Sequence, residues 1–299
     1  MTTRPGMTAR PAGGDPLLAR VSAALGVEAR ASRPLAGAST VRVERVDLAD
    51  GRRVVAKFAD GRGRADLPLE AFMLSELTRE SALPVPEVLH SADDLLVLTH
   101  IDNDGRGPNA EAQRHAADLL AALHGRAYDT YGYSRDTVIG QLHQPNPRTG
   151  RWVDFFRDHR LLHMTLEGHR EGTVSDRLRD RLEALAGRIE RYIDEPTHPA
   201  LLHGDLWTGN VLCQGGRVAG LIDPAIYIGH PEIELAFTTL FGTFDRPFFE
   251  RYAERAPFAP DFFELRRDLY NIYPLLVHVR YWDESYARPI ERTLSRLGL

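Results

Sequence analysis

The sequence has one cysteine, Cys213, in 299 residues. A single thiol forms no internal disulfide and no cysteine-ligated metal cluster, so a reducing cytoplasm is the setting it suits. Flanked by Leu212 and Gln214 near a glycine turn, Cys213 reads as a packed strand residue. Also missing is any apolar run near the ~20 residues that a bilayer span requires, so no membrane partner is expected. The first fifteen residues carry Arg4 and Arg10 with no apolar stretch behind them, which is not a secretory signal. Their Thr, Pro, Gly and Ala content reads as a disordered tail. There is no basic excess, because the formal net charge is −5. That argues against nucleic acid as a partner. The 12 histidines are scattered and include no H-E-x-x-H pair, so no zinc site is expected.

What remains is an ordinary globular composition, 43% hydrophobic and 26% charged, in a chain long enough for two lobes. Pro16 to Leu25 has the spacing of a short amphipathic helix closed by Gly26. Strand-like stretches follow around Arg33 to Leu35, at Val41 to Leu48 and at Arg53 to Phe58. Asp50-Gly51 between the last two signals a hairpin. Leu69 to Glu80 has helical spacing and is ended by Pro84 and Pro86. Glu87 to His90 and Leu95 to Thr99 read as two more strands. Asp102 to Pro108 is polar and glycine-containing, a linker by composition. Beyond it the chain reads as helical at Ala110 to Gly125, Trp152 to Glu167, Ser175 to Ile193, Glu232 to Phe241, Pro247 to Ala256 and Asp261 to Arg280. A small β region at Leu201 to Ile222 interrupts it. The order predicts an α+β protein with a β-rich N-terminal lobe over 16–101 and a larger helical lobe over 102–299.

Chemistry concentrates in His203-Gly204-Asp205-Leu206-Trp207-Thr208-Gly209-Asn210. An Asp five residues before an Asn is the spacing of the protein-kinase catalytic loop. The carboxylate of Asp205 can take the proton of an attacking hydroxyl. The amide oxygen of Asn210 is a hard, neutral ligand for Mg²⁺. Thirteen residues after Asn210, behind the apolar run Val218 to Ile222, stands Asp223, a second candidate metal ligand. Upstream, Val54-Val55-Ala56-Lys57 resembles the strand motif whose lysine meets the α- and β-phosphates of ATP. Val55 shares a strand face with Lys57 and could cover an adenine. Glu70 could pair with Lys57. The turn Gly37-Ala38-Ser39-Thr40 offers backbone N–H groups and hydroxyls to phosphate oxygens.

Each feature alone has a plainer reading. A strand lysine is commonly a solvated edge residue, Glu70 a helix-start acid, Gly37 to Thr40 a turn, and Asp223 before Pro224 a turn opener. Their order along one chain is what points to an ATP- and Mg²⁺-dependent phosphotransferase. His203 is read as supporting the loop by hydrogen bonding, and His230 as structural. Trp207 could be either a stacking wall for substrate or a packing residue. Trp152, Phe155, Phe156 and Leu162 are read as core.

The H-G-D-L-W-T-G-N segment, with Asp223-Pro224-Ala225-Ile226-Tyr227-Ile228-Gly229-His230-Pro231-Glu232, resembles the fructosamine kinase (ketosamine-3-kinase) family. So do Tyr131-Gly132-Tyr133, Ile139 to Asn146, Trp152 to Phe156 and Arg160-Leu161-Leu162. The likeness runs from about Leu17 to the C-terminus. It implies a two-lobed protein-kinase-like fold and transfer of the ATP γ-phosphate to the 3-hydroxyl of a ketosamine, free or on a glycated protein. By position it makes Asp205 the base, Asn210 and Asp223 the metal ligands, and Lys57 with Glu70 the phosphate-binding pair. It puts Thr99, His100 and Ile101 against adenine and Trp207 against the sugar. A monomer is expected. Ala38 stands where a second glycine is usual. Pro231 and Glu234 replace the more common Arg and Asp, at positions expected near the edge of the site. Other readings are a phosphotransferase of the aminoglycoside or choline type and a nucleotide-binding pseudokinase.

Overall fold

The computed structural model describes residues 16–35, 41–59, 66–259 and 261–299. The phosphate-turn candidates Gly37, Ala38, Ser39 and Thr40 lie outside the described residues. The chain divides into two compact units, one running to Glu80 and including Val85–Asp102, the other comprising Ser81–Pro84 and Asn103–Leu299.

The first unit contains α1 (Pro16–Leu25), β1 (Ala29–Pro34), β2 (Arg42–Leu48), β3 (Arg53–Phe58), α2 (Leu67–Glu80), β4 (Val88–Ala92) and β5 (Leu95–Thr99). The strands form one antiparallel sheet in the order β1-β2-β3-β5-β4. Alternation along the strands decides which helix each side chain meets. Val54, Ala56, Leu95 and Val97 point to one face and pack with Leu17, Leu18 and Val21 of α1. Leu96 and Leu98 point to the other and pack with Leu67, Ala71 and Leu74 of α2, with Val55 against the same cluster. Lys57, two residues after Val55, is thereby delivered to the α2 face. The predicted β2–β3 hairpin is present. Gly51 takes φ +86°, a conformation glycine adopts without steric cost. The Asp50 carboxylate accepts the Arg52 N–H at 3.0 Å to close the turn.

The second unit is mainly helical. Its elements are α3 (Ala110–His124), β6 (Thr137–Ile139), β7 (Leu142–Gln144), α4 (Trp152–Phe156), a π-helical turn over Arg157–Leu162, α5 (His163–Arg170), α6 (Asp176–Ala186), β8 (Ala200–Leu202), β9 (Val211–Gln214), β10 (Arg217–Leu221), β11 (Tyr227–Gly229), α7 (Pro231–Leu240), α8 (Arg246–Ala253), α9 (Arg267–Tyr270), α10 (Ile272–Tyr281) and α11 (Ala287–Arg296). Three expected long helices are broken. The π turn interrupts the one beginning at Trp152. The helix after Ser175 ends at Ala186, and a second π turn over Phe262–Arg266 precedes α9. The hairpin β6–β7 and helix α11 were not anticipated. The core holds Trp152, Phe155 and Phe156 as expected, whereas Leu162 is only half-buried. At its centre lies a fully buried cation, Arg160. Its guanidinium sits 3.9 Å from the Tyr227 ring centroid and 4.5 Å from that of Phe155. It donates to Asn146 Oδ1 at 2.6 Å and to Pro145 O at 2.8 Å, so its charge is met by faces and oxygens together.

Candidate active site

Four short strands hold the catalytic segment. β8 pairs with β11, Leu202 opposite Tyr227, and β9 pairs with β10. The chain leaves β8 at Leu202, passes through His203 to Trp207, makes a 3₁₀ turn over Thr208–Asn210 and enters β9 at Val211. Asp223 lies on the return, between β10 and β11. The two returns are tied together. The Ala225 N–H donates to His203 O at 2.8 Å, and the Ile222 N–H to Asn210 O at 3.1 Å.

Within this frame Asn210 Nδ2 donates to Asp205 Oδ2 at 2.9 Å and to Asp205 O at 2.8 Å. The pair fixes the carboxylate and leaves the Asn210 amide oxygen as the atom that could ligate a metal. Desolvation, with the Asp223 charge adding to it and the Asn210 hydrogen bond opposing both, pushes the Asp205 carboxyl up to about 7. The Asp223 charge adds to the cost of ionising Asp205, a setting that a divalent cation relieves. Asn210 and Asp223 are oxygen donors of the kind that could hold Mg²⁺. That ion keeps waters and takes phosphate oxygens for its remaining positions. Asp223 has φ +54°, the only positive φ on a non-glycine among the described residues. Such a residue at a functional loop is where backbone strain is commonly kept.

His203 is fully buried, and its Nδ1 accepts the Asp205 N–H at 3.4 Å. That is the supporting role read from sequence. Gly204 explains the glycine of H-G-D. It sits at φ +88°, and a Cβ there would collide with the Ala225 carbonyl. Trp207 is 43% exposed and lies over Gly209, where a Cβ would strike the indole. His230 caps α7 through Nδ1, which accepts the Glu232 N–H at 3.1 Å. Burial holds it down to about 3, so it is a neutral structural group. Cys213 is buried in β9.

Glu234 corrects the sequence reading. Expected at the edge of the site, it is buried beneath it. Its Oε1 accepts the Gly204 N–H at 2.6 Å, and its Oε2 lies 2.9 Å from His124 Nε2. His124 Nδ1 is 2.9 Å from the Tyr252 hydroxyl. Helices α3, α7 and α8 thus converge on the backbone one residue before Asp205. No motif signals this chain, because its members are separated by 110 and 128 residues.

In the first unit Lys57 Nζ donates to Glu70 Oε1 at 2.6 Å, and Lys57 is 8% exposed. Lys57 is also the only lysine of the chain, whose other 36 basic Lys and Arg residues are arginines. That compositional signal marks it out before any motif is invoked. Val55 stands on the same sheet face. Thr99 ends β5, its N–H donating to Glu87 O at 2.9 Å and its hydroxyl accepting the Glu87 N–H at 2.9 Å. His100 follows, its N–H donating to Arg53 O at 3.3 Å, and then Ile101. No described helix is long and apolar enough to cross a membrane.

Known proteins resemble this chain along most of its length. The fructosamine kinase family profile matches residues 21–298. A probable ketoamine kinase of Thermus thermophilus is 33% identical over 284 residues, covering 94% of this chain and 99% of that protein. The chloroplastic protein-ribulosamine 3-kinase of Oryza sativa subsp. japonica is 34% identical over 184 residues, 60% of this chain and 52% of that protein. A crystal structure from Thermobifida fusca, provisionally designated a fructosamine-3-kinase, has TM-score 0.85 and 31% identity, covering 95% of this chain and 98% of that one. A β-sheet unit bearing a Lys–Glu pair, a helical unit bearing the Asp–Asn loop and a match along nearly the whole chain lead to one conclusion. The chain has a protein-kinase-like fold and belongs to the fructosamine kinase family.

Proposed function

We propose that this protein is a ketosamine 3-kinase that transfers the γ-phosphate of ATP to the 3-hydroxyl of a sugar carried on an amine. The observation that carries the reading is the Asp205–Asn210 pair, locked in a loop whose backbone is bonded from below by Glu234, within a chain matched by the family over residues 21–298. Asp205 takes the proton of the attacking hydroxyl. Its high proton affinity suits a base working near neutral pH. Lys57, oriented by Glu70, binds the α- and β-phosphates, and Gly37, Ala38, Ser39 and Thr40 supply further donors to phosphate oxygens. Val55 covers the adenine, whose edge meets the backbone of Thr99, His100 and Ile101. Trp207 presents its exposed indole face to the sugar. Asn210 and Asp223 hold Mg²⁺, which when bound offsets the charge that builds on the phosphate oxygens. The product class is a 3-phosphorylated ketosamine that decomposes and returns the free amine, a deglycation carried out in the cytoplasm.

The test is ATP consumption against ribulosamine, erythrulosamine and fructosamine adducts, free and protein-bound, beside aminoglycosides, choline and simple sugars. Turnover on a ketosamine at least ~100-fold above the other acceptors is expected. Activity confined to a non-ketosamine acceptor refutes the substrate assignment. Nucleotide binding without transfer to any acceptor refutes the enzyme.

A further inference from the structure

The positive φ of Asp223, +54°, is a conformation that persists only where the surroundings over-determine it. On one side of Asp223 the Ile222 N–H donates to Asn210 O at 3.1 Å. On the other the Ala225 N–H donates to His203 O at 2.8 Å. The Ala225 carbonyl also lies so close to Gly204 that no Cβ fits between them. These bonds tie Asp223 to the catalytic segment, but their partners are themselves loop backbone. The rigidity is supplied from outside the loop.

It comes from the base of the hairpin β6–β7, where Thr137 and Gln144 stand opposite each other. Gln144 is fully buried. Its Nε2 donates to Ala225 O at 3.1 Å and to Thr137 Oγ1 at 2.8 Å. Thr137 Oγ1 in turn donates to Ile226 O at 3.1 Å and accepts Asn146 Nδ2 at 2.8 Å. One residue pair of the hairpin therefore holds two successive carbonyls of the segment after Asp223. Gln144 Oε1 accepts the Tyr273 hydroxyl of α10 at 2.6 Å. Both amide hydrogens and the amide oxygen of Gln144 are used, and Ala225 O can only accept, so the amide cannot turn over without loss. A buried polar group paired in this way rigidifies what it holds.

We propose that Gln144, through its hydrogen bond to the Ala225 carbonyl, sets the position of the Asp223 carboxylate as a metal ligand. Gln144 is then a positioning residue that touches neither nucleotide nor acceptor. Its role rests on the reading above in which Asn210 and Asp223 hold Mg²⁺, and it does not depend on which acceptor is phosphorylated.

The experiment measures ADP affinity by calorimetry with and without Mg²⁺ on full chains, with kcat and thermal unfolding beside it. The variants are Gln144→Met, Asp223→Asn, the two combined, and Tyr270→Phe. Gln144→Met fills the same space and donates nothing. It is expected to keep the metal-free ADP affinity and to lose about tenfold of the gain that Mg²⁺ confers, the effect of one lost hydrogen bond. Its kcat should fall on the order of 100-fold, the effect of a misplaced group at the reacting centre. In the Asp223→Asn background it should change the Mg²⁺ gain no further, because Gln144 acts through Asp223. Tyr270→Phe removes a different buried bond of the same unit, the one accepted from Trp152 Nε1 at 3.0 Å. It is expected to lower the Tm and leave the Mg²⁺ gain unchanged, which separates positioning from general loosening. If Gln144→Met does not fold, Gln144→Asn, which keeps the amide but draws it back by one methylene, is read by the same limits. A Mg²⁺ gain within about twofold of wild type in the Gln144 variant overturns the proposal, as does a further loss in the Asp223→Asn background. An equal loss of metal-free ADP affinity overturns it too. A wild type whose ADP affinity ignores Mg²⁺ refutes the metal reading and the role of Gln144 with it. ADP binding needs no acceptor, so failure of the ketosamine assignment alone leaves the comparison intact.

Discussion

Replacing Glu234 by Ala should cripple the enzyme without touching any group that meets substrate. The side chain is 3% exposed, and its two oxygens meet the Gly204 N–H at 2.6 Å and His124 Nε2 at 2.9 Å. His124, with Nε2–H donating to Glu234, uses Nδ1 to accept the Tyr252 hydroxyl proton. Removing the carboxylate strands two buried donors at about 1–3 kcal/mol each. The total is about 2–6 kcal/mol. The released N–H belongs to the residue before Asp205, so the proposed base moves as well. A displacement of about 1 Å at a reacting group costs on the order of 100-fold in rate. Glu234→Gln separates the two consequences. Its Oε1 still accepts from Gly204, and its amide N–H can face His124 Nε2. The imidazole then carries its proton on Nδ1 and donates to Tyr252. All three hydrogen bonds survive with the tautomer reversed, so a loss of about 1 kcal/mol and less than tenfold in kcat is expected. Denaturant unfolding, followed with kcat at saturating ATP and acceptor, reads both effects. A Glu234→Ala enzyme within 1 kcal/mol of wild-type stability and within threefold of its kcat, both order-of-magnitude limits, refutes the reasoning.

Lys57→Ala should raise the ATP KM and lower kcat together, while Glu70→Ala, which only orients Lys57, should do less; equal kinetics for wild type and Lys57→Ala would remove Lys57 from nucleotide binding. Asp205→Asn should lose about 10²–10⁴-fold in kcat, the usual worth of a general base, and near-normal turnover would exclude that role. The same variant has a stability signature. The folded-state pKa of Asp205, about 7, lies above its ordinary 3.8, so the folded protein keeps a proton that the unfolded chain releases. Wild-type stability is therefore lost between about pH 4 and 7 through this group, and Asp205→Asn escapes the loss. Without metal or nucleotide, the Tm of Asp205→Asn should gain on wild type from pH 5 to pH 8, and a pH-independent difference refutes the assignment. Gly204→Ala should fail to fold or be inactive, since its Cβ meets backbone that cannot yield; an active, stable variant would show that the loop can be rebuilt.

The parts of this structure that were legible in the sequence are those set by local rules. β3 begins at Arg53 and ends at Phe58 as expected, because alternation and the Asp50-Gly51 turn fix both register and boundary. The Lys57–Glu70 contact followed from the same alternation, which puts Lys57 on the α2 face. That Asp205 and Asn210 share one loop followed from their spacing, while the hydrogen bond between them did not. What sequence did not reveal depends on partners far along the chain. Glu234 read as an edge residue because its bonds to Gly204 and His124 span 30 and 110 positions. β6 and β7, at three residues each, are too short for alternation to register. They exist because Thr137 and Gln144 bond to the segment after Asp223. The helix from Trp152 was expected to run unbroken, since periodicity does not announce a π turn, and there the buried Arg160 must turn toward Asn146 and Tyr227.

That Lys57 is the only lysine has a consequence outside catalysis. Ketosamines arise where reducing sugars find exposed amines, and in most proteins the ε-amino groups of lysine supply them. Here the exterior cations are guanidinium groups. The single side-chain amine is 8% exposed and already engaged by Glu70. A catalyst built this way presents almost none of the chemistry it would reverse, and in a sugar-rich solution its own side chains stay out of the pool of damaged amines that compete for its active site.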